Sequence, residues 1–362
     1  MLKLTDVKKI FQQYPIKSEV IKAIPFGEGH INNTYLVTFK NKKSYILQII
    51  NDQIFHPVSK LMENYVSVTK FYHQEIIKRG GDPLRESINV VFTKNKKSYV
   101  KYKNYYVRIL HFIDHTIALQ IIKKPKDFYY AAIAFANFYK VLAKFDASKL
   151  YEIIPNFHNT QIRYKNFLNA VKSDKVKRAK TCQKEIKFIV DHSRYYPLIV
   201  NMLKKKEIPT RVTHNDTKLN NVLFDKKTHL PIAVVDLDTI MPGSLCYDFG
   251  DAIRFGCNSG NEDEKDLKKV HFRIDLYEIF LKGFLETLGK VITKKEKQSL
   301  ALGSIMMTLE CGMRFLTDYL EGDHYFHTKY LTHNLVRCRT QLKLVSEMEK
   351  QYQKMNNLIN KY

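Results

Sequence analysis

The sequence predicts an α+β chain of two lobes, a small antiparallel-sheet N-lobe and a larger, mainly helical C-lobe. Three observations predict it. Strand-like alternation with Asn-Lys-Lys turns is confined to the first ~110 residues. Helical periodicity dominates after Asp114, and one β-rich island, at 211–240, interrupts it.

Taken in order, residues 21–50 alternate as paired strands around the turn at 41–43. The turn recurs at 94–99, between NVVF and YVKY, and predicts a second hairpin. Between them, Leu61, Tyr65, Val68 and Tyr72 stand at helical spacing, in a segment that ends on Gly80 and Gly81. Hairpin, helix, hairpin therefore describes an N-lobe over 1–113. The C-lobe, 114–362, carries helical patterns at 125–150, 160–205, 262–290 and 295–355. Short strands RVTHND, NVLFD and PIAVVDLD lie near the junction, and a cleft between lobes is the expected ligand site.

Composition bounds the class. The chain has 362 residues, 44% hydrophobic, with 23 Tyr and 22 Phe, enough for a sizeable core and far from disorder. No stretch is apolar enough to span a bilayer, and the N-terminus lacks a signal-peptide pattern. The expectation is a cytoplasmic chain with no membrane partner. Five scattered cysteines, never in a CxxC pair, predict free thiols rather than disulfides or zinc. The formal charge of +24 suggests nucleic acid at first sight. Lysine outnumbers arginine 48 to 12 and is spread along the whole chain, which argues against a dedicated phosphate reader.

Chemistry concentrates in the β-island. His214, Asp216 and Asn221 form H-x-D-x-x-x-x-N, and twenty residues after Asp216 an apolar run ends on Asp236 and Asp238. Phosphoryl transfer uses such parts. One carboxylate takes the proton of the attacking hydroxyl, while an amide oxygen and a second carboxylate hold Mg²⁺ on the phosphates of ATP. Singly, each piece is also what a capped loop or a strand end looks like. Their order makes the combined reading the stronger one. Asp248-Phe249-Gly250 spells the Asp-Phe-Gly of protein kinases but lies 32 residues after Asp216, and Asp236 already fills that place. Asp248 and Asp251 are expected to fix the loop or cap the helix that follows.

RVTHNDTKLNNVLFD, AVVDLDTIMPGSLCYDFGDAIRF and PFGEGHINNTYLV resemble the N-acetylhexosamine 1-kinases of the aminoglycoside phosphotransferase and choline kinase superfamily. The resemblance runs from about residue 20 to 335 and implies a protein-kinase-like fold. It implies Asp216 as catalytic base, Asn221 and Asp236 as Mg²⁺ ligands, and the turn of Gly27 and Gly29 over the phosphates. It also implies a sugar pocket of His30, Phe255, Arg314 and Tyr325 around Asp216. Spacing alone favours the plainer readings, Glu310, Arg314 and Asp318 as a solvated ion-pair ladder, Phe255 as a core residue and His30 as a strand end, and the resemblance reverses that order.

One departure stands out. Protein kinases place a lysine on the third strand, paired with a helix glutamate. Here the inward residue of SYILQII is Gln48, and the helix glutamate would be Glu63. Lys43 or Lys218 could supply the missing charge. Adenine contacts are expected at the hinge, 109–112, from Ile109 and His111.

The expected function is ATP-dependent phosphorylation of the anomeric hydroxyl of N-acetylglucosamine or N-acetylgalactosamine, by a monomer. Aminoglycosides, choline or a homoserine-like alcohol are the alternative acceptors. A pseudokinase binding RNA through its basic surface is the third reading, and the intact Asp216, Asn221 and Asp236 speak against it.

Overall fold

The computed structural model describes residues 2–27 and 31–362. The chain divides into two compact units, the first made of residues 1–117, 148–154 and 223–240, the second of the remainder.

The first unit begins with α1 (Leu4–Phe11), β1 (Val20–Pro25), β2 (Asn33–Phe39) and β3 (Ser44–Ile50). α2 (Val58–Lys78), the short α3 (Pro83–Glu86), β4 (Val90–Val91), β5 (Val100–Tyr102), β6 (Tyr105–His111) and β7 (Thr116–Ala118) follow. Strands are ordered β1-β2-β3-β6-β4, with β5 also on β6, and every pair is antiparallel. Alternation sorts side chains to two faces. Tyr35, Val37, Phe39, Tyr45, Leu47, Val107 and Ile109 are buried on one face, against Val7, Ile10 and Phe11 of α1. Thr34, Leu36, Ile46, Gln48, Arg108 and Leu110 alternate with them and pair across β2, β3 and β6. In α2 the stripe Leu61, Tyr65, Val68 and Tyr72 is buried as its spacing predicts.

The predicted second hairpin is corrected. A turn does form, with Thr93 N–H on the Lys97 carbonyl, but β4 and β5 do not pair with each other. Both pair with β6, whose run YYVRILH takes Val90 and Val91 near its C-terminal end and Val100–Tyr102 near its start. Lys103, with φ 53°, makes the tight β5–β6 turn that sets this register.

The second unit is mainly helical. α4 (Pro125–Leu142), α5 (Thr160–Ser173), α6 (Gln183–Asp191) and α7 (Leu198–Lys204) lead to β8 (Arg211–Thr213). Then come β9 (Val222–Asp225), β10 (Pro231–Val234), β11 (Met241–Gly243) and α8 (Leu245–Gly256). A sheet ordered β10-β9-β7 belongs to the first unit save for end residues 118 and 222, and β11 pairs with β8 in the second. α9 (Ile274–Leu288), α10 (Lys294–Gln298), α11 (Leu300–Glu321), α12 (His333–Lys350) and α13 (Tyr352–Lys361) complete the chain. α11 is buried on nearly every side and is the axis of the unit, packed by α5, α8 and α12. The predicted helical stretches are broken where the chain turns: Asp174 (φ 36°) ends α5 and Gly322 (φ 108°) ends α11.

The five cysteines are free. Among the described residues, no helix is long and apolar enough to cross a membrane.

Candidate active site

In the second unit β8 delivers the loop that starts at His214. Asn215 takes the left-handed conformation (φ 63°), and this sharp turn is clamped from α8. The Asp248 carboxylate accepts the N–H of His214 on one oxygen and of Asn215 on the other, both at 2.7 Å, and Tyr139 Oη donates to it at 2.7 Å. Asp251 accepts the Thr217 N–H at 3.1 Å. These bonds give Asp248 and Asp251 the loop-fixing task expected of them. The His214 ring is buried edge-on against Phe135 and Phe138.

Clamping leaves Asp216 at the surface of the loop, its side chain 28% exposed. Asn221 Nδ2 donates to the Asp216 carbonyl at 2.8 Å and to its carboxylate at 3.1 Å. Lys218 Nζ lies 2.7 Å from the other carboxylate oxygen. Burial pushes the Asp216 carboxyl up, but Lys218, His214 and the Asn221 amide outweigh it and hold it below the ordinary carboxylate value. Lys218 in turn is held well above the ordinary lysine value by Asp216. The group is an ionised carboxylate at neutral pH, fit to accept a proton.

In the first unit Asp236 follows β10 in the left-handed conformation (φ 63°, ψ 60°), a backbone state uncommon for any residue with a Cβ. Two residues on, Asp238 is buried against Arg108, a residue that sequence reasoning passed over. Arg108 Nη2 donates to Asp238 Oδ2 at 2.8 Å, Nη1 donates to Oδ1, and Nε reaches Gln48 Oε1 at 2.9 Å. The one available signal was a single arginine inside an apolar strand, which must be paired if buried. Gln48 lies on the face opposite α1, and there it binds this guanidinium. Glu63 is exposed on α2 and bonds Tyr151 instead.

Gly27 has φ 78° and is exposed, a turn that only glycine adopts freely. Gly29 and His30 lie outside the described residues. Ile109 is buried in the α1-side core, and His111 sits beside it with its ring 5.3 Å from Tyr45. Burial and, secondarily, Lys43 hold the His111 imidazole below its ordinary value.

The proposed sugar residues divide. Arg314 and Tyr325 come together on the wall of a cavity of about 290 Å³ that Arg163, Asn166, Asp318 and Phe326 also line. The Arg314 guanidinium donates to Tyr325 Oη at 3.3 Å and lies 5.1 Å from the Phe157 ring and 5.5 Å from those of Tyr325 and Phe326. Burial works against its charge, but Tyr325 and Glu310 outweigh that and raise its value. Glu310 and Asp318 are only 1% and 4% exposed, so no solvated ladder runs along α11. Asp318 instead accepts the N–H groups of His324, Tyr325 and Phe326, which shapes the loop that presents Tyr325. Glu310 bonds His158 Nδ1 at 2.9 Å. Phe255, half-buried on α8, is not among the residues lining the cavity, and neither is Asp216.

Asn221, in the second unit, and Asp236, in the first, each carry a hard oxygen of the kind Mg²⁺ prefers. Among the described residues no three His, Cys, Asp or Glu side chains form a metal cluster. Mg²⁺ is commonly bound by one or two carboxylates, with phosphate oxygens and water completing its shell.

The clamped H-x-D loop with its ionised aspartate and, separately, the left-handed Asp236 two residues past β10 are parts that a phosphotransferase of kinase-like fold uses. The sequence pattern of the APH phosphotransferase enzyme family matches residues 22–271, and the chain belongs to that family. Solved structures share the fold over nearly the full length. A microcompartment-associated aminopropanol kinase is 14% identical, with TM-score 0.60 over 98% of this chain and 99% of that one. A spectinomycin phosphotransferase bound to ADP and spectinomycin is 15% identical, with TM-score 0.61 over 98% and 99%. A choline kinase from Cryptosporidium parvum is 12% identical, with TM-score 0.60 over 99% and 100%.

Proposed function

We propose that this phosphotransferase moves the γ-phosphoryl group of ATP to the anomeric hydroxyl of N-acetylglucosamine or N-acetylgalactosamine. The first ~113 residues would serve the nucleotide, and the rest would supply the catalytic loop, the metal ligands and the acceptor pocket. The observation that carries the acceptor assignment is the Arg314–Tyr325 pair on its cavity wall. A guanidinium and a phenol hydroxyl can donate to sugar oxygens and to an acetamide carbonyl. A cationic acceptor such as choline would need open aromatic faces or an unpaired carboxylate. Here the faces of Phe157, Tyr325 and Phe326 already carry the Arg314 cation, and of the two carboxylates on the cavity wall Asp318 is spent on backbone N–H groups, which leaves Glu321 at the exposed rim.

Asp216 takes the proton of the anomeric hydroxyl as that oxygen bonds to phosphorus. The bond from phosphorus to the β–γ bridging oxygen breaks, and ADP leaves with that oxygen. Lys218 and Asn221 hold the carboxylate in place and ionised before the proton arrives. Bound Mg²⁺, held by Asn221 and Asp236, would neutralise charge on the phosphates. Leu36, Ile46 and Leu110, on the Gln48 face of the sheet, offer the apolar surface on which a base would stack, so Ile109 and His111 would serve through their backbone.

ADP release with Mg·ATP and a panel of acceptors tests this reading. Turnover is expected with N-acetylglucosamine and N-acetylgalactosamine, with choline, aminopropanol and spectinomycin near background. Efficient turnover of an amino alcohol or an aminoglycoside, with neither hexosamine accepted, would overturn it.

A further inference from the structure

Arg108 is 0% exposed, and its whole polar fork is occupied. Gln48 Oε1 accepts from Nε at 2.9 Å and from Nη2 at 2.8 Å, Asp238 takes Nη1 and Nη2, and Met62 Sδ lies 3.8 Å from Nη1. The Tyr65 ring of α2 covers the guanidinium plane at 4.4 Å. A buried ion pair of this kind is a poor source of stability, because desolvating both charges cancels most of the attraction. What it does supply is fixed geometry, since a planar fork reads a carboxylate bidentately in one orientation.

The orientation it fixes is informative. Asp238 stands two residues after Asp236, inside the turn whose backbone is left-handed at Asp236. The same carboxylate accepts from Asn32 Nδ2, and Asn32 Oδ1 accepts the Asn51 N–H at 2.9 Å. Asn32 is five residues after Gly27, where the chain enters β2. α2 holds the same turn independently: Asn64 Nδ2 donates to the Ile240 carbonyl at 3.0 Å. One guanidinium thus connects β3, β6, α2, Asn32 at the entry to β2, and the segment that carries Asp236.

We propose that Arg108 is a positioning residue for the nucleotide phosphates and their metal. Acting through Asp238 and Asn32, it holds the Asp236 turn and the entry to β2 in one fixed relation. The cation that protein kinases carry at the Gln48 position has moved to the facing residue of the next strand, since Gln48 and Arg108 are register partners. Asp238, not a helix glutamate, is its counter-ion. This inference rests on the phosphotransferase reading and is independent of the acceptor.

Calorimetry of ADP binding to the full chain, with Mg²⁺ and with EDTA and no acceptor, provides the test. Arg108→Met is expected to weaken Mg·ADP binding at least tenfold while ADP affinity in EDTA stays within threefold of the parent. Arg108→Lys, which keeps the charge but not the fork, falls between. The double variant Gln48→Lys with Arg108→Met, which returns the cation to β3, regains part of the loss. A merely structural arginine would lower thermal stability and leave the Mg²⁺-dependent affinity unchanged, and that result overturns the proposal. Should Arg108→Met not fold, Asn32→Ala leaves the ion pair in place. It is expected to lose about three- to tenfold of Mg·ADP affinity, and no loss overturns the proposal. A parent that binds no nucleotide overturns both readings. One that binds Mg·ADP as expected but phosphorylates no hexosamine contradicts the acceptor assignment alone.

Discussion

Asp248 holds the backbone N–H groups of His214 and Asn215 on its two carboxylate oxygens, each at 2.7 Å, so α8 sets the conformation of the loop that carries Asp216. Substituting Asp248 by Ala orphans two buried donors and the Tyr139 hydroxyl. A stability loss of about 1–3 kcal/mol is expected. The Mg²⁺ concentration for half-maximal turnover should stay that of the parent, whereas Asp236→Ala should abolish Mg²⁺-dependent turnover. Thermal melts and a Mg²⁺ titration of both variants check this. Metal dependence that follows Asp248 rather than Asp236 would reverse the two assignments.

Gly250, the third residue of Asp-Phe-Gly, packs α8 onto α11. A Cβ there would collide with the Gly303 carbonyl and crowd Met307. Gly250→Ala is therefore expected to cost about 1–3 kcal/mol by overpacking. Denaturant unfolding measures it, and a change below about 0.5 kcal/mol would contradict the close packing.

Asp216 carries a pH prediction. Its value in the folded chain lies below the unfolded one, because Lys218, His214 and Asn221 overcome burial. Its contribution to stability is thus present above the unfolded value and lost as pH falls through the folded one. The acid limb of kcat/KM should accordingly lie below the ordinary carboxylate range if this group alone sets it. Lys218→Met leaves burial unopposed by its strongest partner, so the limb should move to higher pH. A limb that does not move would detach Lys218 from the base. Asp216→Asn should lower kcat by about 10²–10⁴-fold with nucleotide affinity little changed.

Arg314→Ala should raise the hexosamine KM roughly ten- to hundredfold, the loss of a charge-assisted hydrogen bond of about 1.5–3 kcal/mol. The KM for ATP should change less than threefold. Steady-state titration with both hexosamines and with ATP checks it. An unaltered hexosamine KM, with only a lower melting temperature, would make Arg314 a packing residue.

What was legible in the sequence was what local periodicity and spacing encode. The α2 stripe from Leu61 to Tyr72 and the alternation of β2 and β3 follow from repeats of 3.6 and 2 residues. The H-x-D-x-x-x-x-N loop is contiguous, so Asp216 and Asn221 were found together. Arg108 was not, because its partners lie at Gln48 and Asp238, sixty residues before and 130 after. Nothing in the neighbourhood of YYVRILH points to them. The β4 and β5 pairings failed for a similar reason, since register on β6 is a non-local choice between two plausible neighbours. On α11, Glu310 and Asp318 looked like a solvated ladder because i, i+4 spacing describes a face without saying which way the face points.

The central claim is phosphoryl transfer to the anomeric oxygen of an N-acetylhexosamine by the Asp216 base. Its most direct measurement is ³¹P NMR of the products formed from Mg·ATP with N-acetylglucosamine and, separately, N-acetylgalactosamine. The account predicts a sugar phosphate coupled to the anomeric proton, formed together with ADP at an initial rate that Asp216→Asn lowers by about 10²–10⁴-fold. Phosphate on any other oxygen, or equal product from Asp216→Asn, would contradict it.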